Sequence, residues 1–239
     1  INEKSTAVCF YDGDSLQKVL GKKKMFGLTH RNVDQMCAID ALMKPEIPLV
    51  TLIGKAGSGK TLLAVAAGLE ALLEKKAEGK MKVDKLLIIR PPIAMGADIG
   101  FLPGSAEEKM AAWAGSITDN LDVLLGGQKN VDHLFANGDI EVVPPTFMRG
   151  RSLNNTFVIL DEAQSLTRHE IKTIATRLGE NSKLVITGDL QQIDNPRVSS
   201  SDNGLAIIVE AFKGTEWAIC LDLIKGERSD FSAAAAELH

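Results

Sequence analysis

Cysteine is scarce in this 239-residue sequence: Cys9, Cys37 and Cys220 stand far apart, with no C-x-x-C pair and no histidine at a metal-ligand spacing. That argues against a disulfide framework or a structural zinc site, and fits small apolar side chains kept reduced in a cytosol. No apolar run approaches the roughly 18 residues that a membrane helix needs. Nor does the chain start with a signal-peptide pattern, so a cytoplasmic location with no membrane partner is expected. Positive charge is not in excess: 27 Lys and Arg against 31 Asp and Glu give a net charge of -4. The pI is about 5.6, a balance that argues against a domain coating nucleic acid by bulk charge but leaves room for a local basic groove. Internal repeats and low-complexity tracts are absent as well. The first residue is Ile1 rather than methionine, which reads as a fragment of a longer chain. What is present is ordinary: 45% hydrophobic and 24% charged residues, with a mean hydropathy of +0.04. Such a chain is long enough for one large α/β domain, alone or with a small appendage. A core of that size needs no disulfide or metal staple.

Residues 1–27 read as a linker. A strand-like stretch from Val8 to Tyr11 leads into a turn at Asp12-Gly13-Asp14 and a basic run, Lys22-Lys23-Lys24, which is either a solvated surface or an RNA contact. The domain is expected over 28–239. Val33, Met36, Ile39 and Leu42 are spaced for an amphipathic helix over 32–43, stopped by Pro45 and Pro48. Strand and helix then alternate. Strand-like runs are Leu49–Ile53, Lys85–Ile89, Ile140–Val143, Phe157–Leu160, Lys183–Thr187 and Trp217–Leu223. Between them lie helical stretches over about 60–75, up to about Leu125, 131–136, up to about Leu178, and 204–212. Ser105 with Glu108 and Thr167 with Glu170 form capping boxes. Short apolar strands separated by helices imply an α/β fold with a mostly parallel sheet and helices on both faces.

Gly54-Lys55-Ala56-Gly57-Ser58-Gly59-Lys60-Thr61 matches the G-x-x-x-x-G-K-[ST] phosphate-loop pattern in full, directly after a strand and opening a helix. Each part has a mechanical reason. The glycines let the backbone turn with positive φ and bring N–H groups close to phosphates. The first helical turn, reaching Leu62, offers unpaired N–H groups and the positive end of the helix dipole to an anion. Lys60 is placed to reach the β- and γ-phosphates, and the Thr61 hydroxyl to coordinate magnesium.

The run Phe157-Val158-Ile159-Leu160-Asp161-Glu162 carries four apolar residues into two adjacent carboxylates. Ligands of open parallel sheets bind beyond the carboxyl ends of the strands, so the pair should face the phosphate loop. Asp161 is then expected to hold the magnesium hydration shell and Glu162 to act as general base on water. A third buried strand runs into Thr187-Gly188-Asp189-Leu190-Gln191-Gln192, where Thr187 and Gln192 are candidate γ-phosphate sensors. A carboxamide suits that role because it donates and accepts without changing its proton. Gln35, on the first helix, has the chemistry to read adenine through N6 and N7.

These segments together resemble the PhoH family of ATPases, in particular the ATPase half of PIN–PhoH fusion proteins. The resemblance is carried by Gly27 to Asn32 with Gln35, Gly54 to Thr61, Arg90-Pro91-Pro92 continuing to Gly100–Gly104, and Met148 to Asn154. It continues through Asp161-Glu162-Ala163-Gln164, Thr187-Gly188-Asp189 with Gln192, Ile193 to Pro196, and Gly226 to Ser229. It implies a phosphate-loop NTPase core of the RecA or superfamily 1 helicase type, with ATP and magnesium as ligands. It strengthens Gln35 as the adenine reader and implies Arg228 as a γ-phosphate arginine, in cis or from a neighbouring subunit. Arg90, Arg149 and Arg151 become candidates for RNA backbone contacts or inter-subunit links. The family also implies single-stranded RNA as partner, a homo-oligomeric ring such as a hexamer, and a PIN ribonuclease upstream.

Three functions are weighed on these grounds. An RNA-dependent ATPase or helicase motor has the most support. An ATP-dependent switch without translocation follows, since the chain has room for only one motor core. A small-molecule kinase comes last, because Glu162 beside Asp161 favours activating water over transfer to a substrate.

Overall fold

A computed structural model describes residues 8–11, 15–19, 24–74, 81–92, 106–190, 192, 198 and 203–226. The turn at 12–14, the box residue Ser105, the segments 100–104 and 193–196, and Arg228 lie outside them.

A small antiparallel hairpin of β1 (Cys9–Tyr11) and β2 (Leu16–Lys18) comes first. The main body follows as α1 (Val33–Leu42), β3 (Leu49–Ile53), α2 (Lys60–Leu73), β4 (Lys85–Ile89), α3 (Ala106–Leu125), α4 (Gln128–Ala136) and β5 (Ile140–Val143). It continues with β6 (Thr156–Leu160), α5 (Arg168–Ala175), β7 (Lys183–Gly188), α6 (Gly204–Phe212) and β8 (Ala218–Asp222). Short 3₁₀ turns cover Pro145–Met148 and Ala163–Ser165. Strands β3 to β8 form one six-stranded sheet in the order β5-β4-β6-β7-β3-β8, every pair parallel.

The strands are apolar on both sides because both faces are covered. Val50, Leu52, Leu86, Ile88, Phe157, Ile159 and Val185 pack with α1, α2 and α4 in one core. Their neighbours one residue away, Leu49, Leu87, Ile89, Val158, Leu160, Leu184 and Ile186, pack with α5 and α6 in the other. This is the two-residue alternation of a strand read on two buried faces. Thr167 and Glu170 form the expected capping box at α5: Thr167 Oγ1 accepts from the Glu170 N–H at 3.4 Å, and the Glu170 carboxylate accepts from the Thr167 N–H at 2.9 Å.

Two local expectations change. The stripe read on α1 holds at Ile39 and Leu42 but not at its start: Val33 is 55% exposed and Met36 half-buried, while Gln35, Ala38, Asp40 and Ala41 are buried as well. Helix α5 ends at Ala175 rather than near Leu178, capped by Thr176, and Leu178 then bridges to Leu153. At the other end of the body Met25 is fully buried, and the Phe26 N–H donates to the Glu70 carboxylate at 2.7 Å. The last turn of the segment read as a linker therefore packs into the core.

At the amino end of the sheet Lys183 is 1% exposed. Its Nζ donates to the Ala41 and Lys44 carbonyls at 3.2 and 2.6 Å, satisfying the end of α1. Burial pushes this ammonium down to about 7, with Glu46 opposing and Lys44 adding to the fall.

Candidate nucleotide site

The site sits at the carboxyl ends of the strands. Parallel register aligns those ends: Ile53 lies opposite both Gly188 and Asp222, Ile89 opposite Leu160, and Leu160 opposite Ile186. The residues that follow therefore emerge side by side.

From β3 the chain turns through Gly54–Gly59 into α2. Gly57 and Gly59 take φ of 84° and 91°, left-handed values that a side chain resists. At Gly54 a Cβ would run into the Leu223 carbonyl oxygen, because the chain leaving β8 crosses directly behind the loop. Lys55 and Ala56 are exposed at the loop tip, and Leu62 is half-buried in the first helical turn. Ser58 is fully buried, and its hydroxyl has no hydrogen-bond partner. Lys60 folds back, its Nζ donating to the Gly54 and Lys55 carbonyls at 2.5 and 3.0 Å.

Thr61, Asp161 and Thr187 converge from three elements. The Thr61 hydroxyl donates to Asp161 Oδ1 at 2.8 Å, and the Thr187 hydroxyl to the same oxygen at 2.6 Å. Asp161 is 2% exposed. Thr187, read from sequence as a γ-phosphate sensor, thus spends its only proton orienting Asp161. Glu162 follows in the left-handed region at φ 54° and ψ 42°. That conformation is uncommon for a residue with a side chain, and such strain gathers at functional positions.

Arg90, at the end of β4, is 9% exposed and faces these carboxylates. Its Nη1 lies 3.5 Å from Asp161 Oδ2, its Nη2 lies 4.0 Å from Glu162 Oε1, and it also bonds the Ser116 hydroxyl on α3. This candidate for RNA or inter-subunit contacts is turned inward here, placing a cation beside the buried Asp161 carboxylate and the half-exposed Glu162. Arg151 likewise is held: both Glu141 oxygens accept from its Nη2, at 3.0 and 2.8 Å, and Lys85 joins at 2.5 Å. The Arg151 hydrogen bond holds Glu141 below the usual carboxylate range, with Lys85 adding to the fall and burial opposing it. Of the three candidate arginines only Arg149, after the 3₁₀ turn, is exposed.

Gln35 is buried against the loop. Its Nε2 donates to the Ser58 carbonyl at 3.2 Å, its Oε1 accepts from the Arg31 N–H at 2.9 Å, and a Cβ on Gly59 would touch it at 3.2 Å. Gln192 is exposed beyond the Asp189 turn, its N–H donating to the Asp189 carbonyl at 3.3 Å. Among the described residues no hydrogen bond brings its carboxamide to Glu162. Gln164, quoted from sequence only as the last residue of the Asp161–Gln164 segment and given no role there, sits there instead: its Nε2 donates to Glu162 and its Oε1 accepts from the Asp189 N–H. Its contact with the Asp189 backbone follows from the sheet order, which sets β6 beside β7.

The donor set fits the ligands the fold implies. A buried serine hydroxyl without a partner and two left-handed glycines at a helix N-terminus suit phosphate oxygens. Thr61 and Asp161 offer oxygen ligands only, which suits a hard cation such as magnesium.

A model of one family, described as PhoH-like protein, matches residues 27–230. The chain belongs to the PhoH family. It is 48% identical over 223 residues to "Protein PhoH2" of Bacillus subtilis, covering 92% of this chain and 49% of that protein. A "Protein PhoH2" of Mycolicibacterium smegmatis is 42% identical over 224 residues, covering 93% and 50%. A "PhoH-like protein" of Bacillus subtilis is 41% identical over 175 residues, covering 73% and 52%. The chain thus spans about half the length of the curated relatives it matches. As a PhoH-family protein it has the α/β fold of a phosphate-loop NTPase. Among the described residues no helix is long and apolar enough to cross a membrane.

Proposed function

We propose that this chain hydrolyses ATP with magnesium and works as an RNA-driven motor module. The observation that carries the hydrolytic part is the arrangement at the end of β6, where Asp161 meets Thr61 and Thr187 while Glu162 stands beside it. Lys60 releases the Gly54 and Lys55 carbonyls and donates to the β- and γ-phosphate oxygens, with the N–H groups of the loop and first α2 turn around them. The Thr61 hydroxyl and Asp161 would hold magnesium and its hydration shell, which when bound would supply positive charge against the charge developing on those oxygens. Glu162 takes a proton from the water whose oxygen bonds to the γ-phosphorus. The bond from that phosphorus to the bridging oxygen breaks, and ADP and phosphate leave. Gln192 and Arg228 complete the γ-phosphate contacts in this reading. Gln35 keeps one N–H and one oxygen lone pair beyond its two chain contacts. That is the pair needed for adenine N7 and N6.

The RNA part rests on the resemblance of the Asp161–Gln164 and Gly188–Gln192 segments to helicase cores. With one core per chain, unwinding needs several copies, so a ring, in the limit a hexamer, is proposed. Arg149 is the exposed candidate for RNA or a neighbouring subunit. A PIN ribonuclease is proposed in the half of the relatives' length that this chain does not span, and the location is proposed as cytoplasmic. A nucleotide switch without translocation is the second reading, favoured by the single core.

ATP turnover with and without single-stranded RNA tests the proposal. RNA should raise turnover, Lys60→Ala should abolish nucleotide binding or turnover, and Glu162→Gln should lower turnover by roughly 10²-fold or more. If RNA changes neither turnover nor nucleotide affinity, the motor gives way to the switch. Full turnover in Glu162→Gln removes Glu162 as base.

A further inference from the structure

Gln164 is the second residue of the 3₁₀ turn after Glu162 and is 3% exposed. Its carboxamide is divided between two partners. Nε2 donates to Glu162 Oε2 at 2.7 Å, and Oε1 accepts from the Asp189 N–H at 3.0 Å. The first partner is a half-exposed side chain, not the backbone of its own turn, which is already closed by Ser165 and Leu166 N–H groups bonding the Glu162 and Ala163 carbonyls. The turn therefore does not need Gln164 to hold its shape.

We propose that Gln164 is a positioning residue for hydrolysis, fixing the orientation of the Glu162 carboxylate from the end of β7. This rests on the reading of Glu162 as the base. An N–H donated to Oε2 sets the plane of the carboxylate and leaves Oε1 as the acceptor. Oε1 is 4.0 Å from Arg90 Nη2, beyond hydrogen-bond range, so its lone pairs stay open to a water. Glu162 itself is held in the left-handed region. Its backbone therefore aims the side chain, while Gln164 removes the remaining freedom at the carboxylate. The anchor for Gln164 is the backbone of β7, which approaches because Gly188 has no side chain. A Cβ there would lie 2.7 Å from Gln164 Oε1 and 2.6 Å from Leu205 Cδ2.

Gln164→Glu and Gln164→Leu, made in the 239-residue chain, separate positioning from structure. The glutamate keeps an acceptor for the Asp189 N–H but faces Glu162 with a carboxylate oxygen in place of a donor. Leucine removes both bonds. In each folded variant kcat is expected to fall roughly 10- to 100-fold. KM for ATP and the affinity for a fluorescent ATP analogue with magnesium should stay within about twofold of wild type. Wild-type kcat in either variant overturns the proposal. So does a parallel loss of nucleotide affinity in both, which would make Gln164 a structural tie of the site. Placed in a Glu162→Gln background and read by single turnover, Gln164→Leu should cause no further loss; the same fold-loss as in the parent also overturns it. Failure of the underlying reading looks different, because Glu162→Gln alone would then turn over at the wild-type rate.

Discussion

Lys183 gives the sharpest test of how this fold is balanced. Its ammonium is buried at the start of β7 and is pushed down to about 7 from an ordinary 10.5, first by desolvation. Its folded-state value is below its unfolded one, so between those values the unfolded chain binds a proton that the folded chain does not. Stability contributed by this group therefore rises with pH through that window and is lost as pH falls toward 7. From the two values, keeping Lys183 at pH 7 costs about 4 kcal/mol relative to a site with no such titration, and the cost falls by about 2 kcal/mol by pH 9. Below pH 7 both states are protonated and the cost levels off. Against it stand the two hydrogen bonds to the Ala41 and Lys44 carbonyls, each contributing about 1 kcal/mol. Lys183→Met removes both effects. The variant should be as stable as wild type or more so at pH 6 to 7, and less stable at about pH 10, where the cost has fallen below about 1 kcal/mol and the lost hydrogen bonds outweigh it. Urea unfolding of both proteins across this range reads the difference directly. Two parallel curves would show instead that Lys183 is solvated in the folded state and carries no such cost.

Other outcomes follow from single contacts. Thr187→Val keeps the shape but removes the 2.6 Å donor to Asp161; half-maximal turnover should need more magnesium, and an unchanged magnesium dependence would deny Thr187 its orienting role. Gly54→Ala forces a Cβ onto the Leu223 carbonyl and should weaken ATP binding as measured by calorimetry, while an unperturbed affinity would mean that the loop shifts freely. Thr167→Ala breaks the capping box of α5 and should lower stability by about 1 kcal/mol in chemical denaturation without changing nucleotide affinity.

Much of the fold was legible because its signals are local. The phosphate loop is a contiguous pattern whose spacing sets its own backbone, and Asp161-Glu162 is marked by four apolar residues ending in charge. The strand limits were close for the same reason: runs buried on both faces have abrupt ends. The capping box at Thr167 was legible because its two partners are three residues apart. The exposure of Val33 at the start of α1 was not, since how far a buried face extends along a helix depends on what packs against it.

Local pattern was enough to place an α/β body, a phosphate-loop motif at Gly54 to Thr61 and an acidic pair at the end of a later strand. Which residues surround that pair depends on the folded sheet. Sheet order set β7 between the strand of the loop and the strand of the acids, so Thr187 reached Asp161 and the Asp189 backbone reached Gln164. The same order set β4 on the other side of β6, which turned Arg90 toward the carboxylates. Contacts across 25 to 100 residues are fixed by register between strands, and a linear pattern carries no record of which strands become neighbours.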